Sequence, residues 1–149
     1  MDKVMINDVQ LTPLRIIRGE LGDVYHALTV SASGFSGFGE AYFSSVKQGK
    51  IKGWKKHTRM TSNFVVPVGA VRVLIFDDRP YSSTKEAVLE VVLSPDNYAR
   101  LTVPPGVWFA IQGIAEDLNL LLNIASIPHE PSECLSKPLN APEFPLVQW

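Results

Sequence analysis

Short apolar runs, interrupted every few positions by Gly, Pro, Asp or Asn, set the pattern of this chain. Residues 23–31 (DVYHALTVS), 64–76 (FVVPVGAVRVLIF), 86–94 (EAVLEVVLS), 100–103 and 117–125 are rich in Val, Ile, Leu, Phe and Tyr. Such side chains suit a half-buried pleated surface. Turn residues separate the runs at 34–39, 67–69, 77–80, 95–97 and 104–106. In Pro95-Asp96-Asn97 the proline presets φ while Asp and Asn bond the local backbone. Pro104-Pro105-Gly106 cannot give two donors to a central ladder. A helical period held over about eleven residues is absent. The pattern predicts one all-β domain over residues 1–149, a sandwich or barrel.

The stretch 128–149 differs in kind: it holds Pro128, Pro131, Pro138, Pro142 and Pro145 and no glycine. Leu135, Leu139, Phe144, Leu146, Val147 and Trp149 punctuate it, which predicts an extended C-terminal arm. It lies over the domain or reaches a neighbour, with Trp149 as its anchor.

Charge changes the picture locally rather than globally. The 14 Lys and Arg nearly balance 15 Asp and Glu, yet residues 47–59 hold six of the cations and no acid. If 49–59 is a strand, Gly53, Lys55, His57 and Arg59 share one face, and Trp54, Lys56 and Thr58 share the other. Trp54 then packs outward against a neighbour. A cationic row on an inner face is costly unless an anion meets it, and a diphosphate is such an anion. A solvated edge strand guarded by lysines is the plainer reading. A nucleic-acid surface is disfavoured, because aromatic and Arg positions do not interleave at stacking spacing. No apolar run reaches the ~18–20 residues of a membrane span.

The lone Cys134 excludes an internal disulfide and has no base beside it in sequence, and with the N-terminal stretch it suits a cytoplasmic protein. His26, His57 and His129 are too few and too scattered for a metal site. Phosphate-loop, dinucleotide and nucleophile-elbow motifs are absent.

The order of segments, however, is similar to that of the dTDP-4-dehydrorhamnose 3,5-epimerase family and its cupin relatives. The resemblance rests on Arg18-Gly19, on the run from Phe38 to His57, on Phe76-Asp77-Asp78-Arg79…Ser82-Ser83-Thr84, and on Leu93-Ser94…Asn97…Leu101-Thr102-Val103-Pro104-Pro105-Gly106. It covers residues 12–149 in register and implies a jelly-roll homodimer acting on a nucleotide-linked 4-keto-6-deoxy sugar. It also implies departures. The family's catalytic histidine falls on Lys55, a second histidine on Phe109 and its catalytic tyrosine near Leu122. The aspartate that partners the histidine lies beyond residue 149. In related 3,4-ketoisomerases a His-x-His pair occupies this place; here it reads Lys55-x-His57.

The chemistry implied is proton removal next to a ketone, which needs a base, an enolate-stabilising group and an acid on the other face. No metal or other cofactor is required. His57 is the expected base, Lys55 an alternative base or an enolate stabiliser, and Tyr42 the proton donor. Arg18, Glu40, Lys52, Arg59 and Asn63 are expected to bind substrate. The expected function is a sugar-nucleotide 3- or 3,5-epimerase of surface polysaccharide biosynthesis. The alternatives are a binding-only cupin with decayed catalytic groups and a 3,4-ketoisomerase.

Overall fold

The computed structural model describes residues 5–149. Twelve strands form in chain order: β1 (Gln10–Pro13), β2 (Ile16–Ile17), β3 (Val24–Tyr25), β4 (Glu40–Ser45), β5 (Ile51–His57), β6 (Ser62–Val68), β7 (Val71–Phe76), β8 (Val88–Leu93), β9 (Ala99–Val103), β10 (Trp108–Gly113), β11 (Leu120–Ala125) and β12 (Cys134–Ser136). They build two five-stranded antiparallel sheets, β1-β9-β6-β11-β4 and β12-β5-β10-β7-β8, and a small β2-β3 hairpin. The sheets pack face to face as the jelly-roll sandwich expected of a cupin.

Alternation along the strands decides what fills the sandwich. Phe64, Val66, Leu101, Val103 and Leu121 of the first sheet meet Val71, Val73, Ile75, Leu93, Phe109 and Ile111 of the second. Burying each such side chain is worth about 1.5–3 kcal/mol.

Two expected elements come out differently. The strand expected over 23–31 pairs only at Val24–Tyr25, opposite Ile16 and Ile17. Beyond it the chain crosses the outer face of the first sheet, where the Ala27 carbonyl accepts from Arg100. The turn expected at 67–69 sits later, because β6 runs on through Pro67 to Val68. Its pairing with β11 slips between Leu120 and Leu122, so Pro67 falls where the ladder asks for no donor. Gly69 makes the turn at φ +80°, with the Leu118 carbonyl 2.2 Å from where a Cβ would stand.

The arm begins with a 3-10 turn (Pro131–Glu133), adds β12 to the edge of β5, and then crosses the outer face of the second sheet. There Phe144 stacks on Trp54 at 4.7 Å and meets Trp108 edge-on at 5.2 Å. Leu139, Ala141, Val147 and Trp149 complete this second apolar cluster. Trp54 is thus covered by its own chain.

Between β7 and β8 the loop is pinned by Asp77, which is fully buried. Its carboxylate accepts from Arg79 Nε at 2.8 Å, Ser82 Oγ at 2.7 Å and Thr84 Oγ1 at 2.7 Å. Burial opposes the charge, but these donors outweigh it and hold the carboxyl far below the usual carboxylate range.

Candidate active site

A cavity of about 200 Å³ opens between the two sheets. Its second-sheet wall is set by an irregularity in β5. Phe109 pairs with Lys55 and Ile111 with Lys52, so Gly53 and Trp54 together oppose Ala110 alone. This extra residue resets the alternation. Lys52 therefore joins Lys55 and His57 at the cavity, while Trp54 points to the outer cluster. Without the bulge, alternation would put Lys52 on the Trp54 face. Only glycine fits at 53, where a Cβ would lie 2.4 Å from that of Ala110.

His57 is the best-supported group in the cavity. Its Nδ1 is hydrogen-bonded to the carboxylate of Glu133 from the arm. Glu133 is itself buried and also accepts from the backbone N–H of Arg59 at 3.1 Å and of Met60 at 3.2 Å. Burial works against its charge, yet these donors, His57 first, keep the carboxyl below its usual range. An ionised partner accepts a hydrogen bond from Nδ1–H and so leaves Nε2 as the basic nitrogen. Phe109, the position resembling a family histidine, lies nearly parallel to the His57 ring at 5.9 Å between centroids. It holds the ring's orientation rather than supplying a proton.

Tyr42 and Ser44 of β4 line the first-sheet wall opposite. Asn123 Nδ2 donates to Tyr42 Oη at 3.0 Å, which leaves the phenol proton free to be donated. Lys52 Nζ spans the walls to Ser44 Oγ at 3.0 Å and the Ser45 carbonyl at 2.7 Å. The Lys55 ammonium has no hydrogen bond or ion pair among the described residues. Leu121 and Asn123 face the cavity, so the position expected near Leu122 belongs to its neighbours, with Leu122 turned away. His129 and Cys134 of the arm complete the lining. The Cys134 thiol is pushed up by burial, with Lys55 pulling the other way and Glu133 adding to the rise. That disfavours a thiolate. Among the described residues no three His, Cys, Asp or Glu side chains converge as metal ligands do.

The structure thus brings together Tyr42, Lys52, Lys55 and His57. Other expected binding residues stand apart. Asn63 is a correction: on β6 it points away from the cavity while Phe64 points in. It accepts from Thr102 Oγ1 at 2.6 Å and donates to the Gly34 carbonyl at 3.0 Å. Arg59 lies past the end of β5 and pairs with Glu130 at the surface. Arg18 is in the exposed β2-β3 hairpin and pairs with Asp23 at 2.6 Å. Glu40 begins β4 on the Tyr42 face but does not line the cavity. Glu133 escaped the sequence reading because 76 residues separate it from His57. Gly53 beside Trp54 in a strand was the available sign of the bulge.

No family model matches the chain. A dTDP sugar isomerase from Desulfovibrio desulfuricans G20 is 39% identical, with a TM-score of 0.91 over 95% of this chain and 91% of that one. A probable low-salt glycan biosynthesis epimerase from Haloferax volcanii is 26% identical over 123 residues, 79% of this chain and 77% of the relative. The dTDP-4-dehydrorhamnose 3,5-epimerase of Elizabethkingia anophelis NUHP1 shares the fold, at 16% identity and a TM-score of 0.80 over 96% of this chain and 82% of its own. The near-complete overlap at 39% identity decides the matter: the chain belongs to the cupin family of dTDP-4-dehydrorhamnose 3,5-epimerase-like sugar-nucleotide epimerases and isomerases.

Proposed function

We propose that this protein epimerises a nucleotide-diphosphate-linked 4-keto-6-deoxy hexose, at C3 or at C3 and C5, in surface polysaccharide synthesis. The observation that carries the reading is the His57–Glu133 dyad facing Tyr42 across one cavity. His57 Nε2 removes the proton next to the C4 ketone, and the electron pair moves onto O4 as an enolate. Lys55 stabilises that oxygen. Tyr42 returns a proton to the same carbon from the opposite wall, inverting it. A base and an acid on opposed sheets suit inversion better than transfer along one face. A 3,4-ketoisomerase remains the second reading, because one imidazole suffices to carry a proton between adjacent carbons. The cost of burying Glu133 weighs against a binding-only relic.

Incubation with a thymidine-diphosphate 4-keto-6-deoxy sugar in deuterated water tests this. One deuterium at C3, or at C3 and C5, with inverted products is the expected result. Deuterium at C4 with a 3-keto product would favour the isomerase, and binding without exchange would sink both. Lys52 is proposed to meet the diphosphate side of the substrate. A homodimer belongs to the proposal, with Ile17, Leu21, Val24 and Tyr25 of the exposed hairpin as its apolar contact with a second copy. Light scattering at twice the chain mass is expected. The lone unpaired thiol supports a cytoplasmic location.

A further inference from the structure

We propose a second, anion-binding site on the outer face of the first sheet, centred on Arg100 and specific for a phosphate-class oxyanion. On β9, Leu101 and Val103 face the sandwich interior, so Arg100 points to the opposite side of the sheet. The site is therefore separate from the catalytic cavity and independent of the function proposed above.

Arg100 is only 3% exposed, yet no carboxylate lies within ion-pair distance of it among the described residues. Its Nη1 donates to the Ala27 carbonyl at 2.9 Å, and its Nε has no acceptor. With Nε shut in and Nη1 on Ala27, Nη2 is the nitrogen left to meet an anion, as a charge-assisted donor. Burial alone lowers the readiness of this guanidinium to hold its charge. An isolated buried charge is among the costliest features a fold can carry.

Arg100 is not sealed in protein. It lines a cleft of about 250 Å³ between β1, β9 and the crossing segment 26–33. Arg15 and His26 join it, with the hydroxyls of Thr12, Thr29 and Ser33, and no Asp or Glu lines the cleft. At about 30 Å³ for each water's share of liquid volume, this space is ample for a tetrahedral oxyanion. Two arginines, a histidine and the hydroxyls of Thr12 and Thr29 supply donors from several directions, the Ser33 hydroxyl being given to Gln10 at 2.8 Å. A tetrahedral ion uses them better than a planar carboxylate does.

Inorganic phosphate is the probe. In chloride buffer, Arg100→Met should melt no lower than the wild-type chain, because it removes an unpaired buried charge. Phosphate should then raise the melting temperature of the wild-type chain and not of Arg100→Met. By phosphorus NMR titration, phosphate affinity should fall at least about tenfold in that variant, as expected for losing a charge-assisted pair. If Arg100→Met does not fold, Arg15→Ala decides, since Arg15 is exposed: its phosphate affinity should fall several-fold at unchanged stability in chloride. Equal phosphate stabilisation of wild type and variants would overturn the proposal, as would none in the wild type. So would a phosphate effect kept by Arg100→Met and lost in Lys52→Ala, which assigns it to the catalytic cavity. Phosphate that converts a dimer to monomers would instead assign Arg100 to a second copy's carboxylate.

Discussion

At the scale of single residues, the imidazole–carboxylate pair makes the sharpest demands. His57→Gln should cut deuterium exchange by roughly 10²–10⁴-fold, the usual worth of a positioned acid–base group. Glu133→Gln keeps the shape but removes the charge that selects the Nε2 base. Its kcat should fall over the same range while KM stays near the wild-type value. An equal fall in binding would mean that Glu133 holds the cavity's shape only. The carboxylate also leaves a mark on stability. Glu133 titrates lower when folded than when unfolded, so its contribution is complete above the unfolded value of about 4.3. That contribution is lost as pH falls through the folded value. Urea midpoints measured from about pH 5 down to about pH 3 should therefore drop more steeply for the wild-type chain than for Glu133→Gln. His57 and Lys55 were legible as candidates from their shared face on an expected strand, whereas Lys52 and Tyr42 came in through the family resemblance and strict alternation put Lys52 on the wrong face. Glu133 was not legible, because an acid in a proline-rich stretch carries no sign of a partner 76 residues earlier.

At the scale of elements, the β5 bulge turns Lys52 to the cavity that Lys55 and His57 face. Gly53→Ala would drive a methyl to 2.4 Å from Ala110 Cβ, with the Ala110 backbone Cα at 2.8 Å. A cost of about 1–3 kcal/mol is expected by denaturant melts, as for overpacking elsewhere. Weaker nucleotide-diphosphate binding should accompany it as Lys52 turns away. The loop after β7 is the other pinned element. Asp77→Ala leaves Arg79 without its buried partner and should cost about 3–5 kcal/mol. The runs at 64–76, 86–94, 100–103 and 117–125 announced β6 to β9 and β11 because their apolar residues face one shared interior. The run at 23–31 misled because equally apolar residues there find no long strand to pair with. Apolarity reports burial or contact, and the partner strand is set by the rest of the chain.

At the scale of the whole molecule, the arm links the outer apolar cluster to the catalytic cavity. Phe144 lies on the far side of the second sheet from His57, yet the segment it anchors carries Glu133. Phe144→Ala should cost about 3–5 kcal/mol by its cavity alone. Exchange activity per folded molecule should fall as well, with little change in KM, since the loosened arm no longer holds Glu133 on His57. Activity unchanged at full folding would show the arm to be mere cover. There is a consequence for the order in which a working molecule comes into being. Synthesis runs from the N-terminus, and domains begin to organise as they emerge. Among the described residues, every strand of the sandwich except the edge strand β12 precedes residue 126, whereas the carboxylate that arms His57 is residue 133. A nascent chain can therefore shape most of the cavity around His57 before the carboxylate that orients this base is made, and the chemistry switches on last.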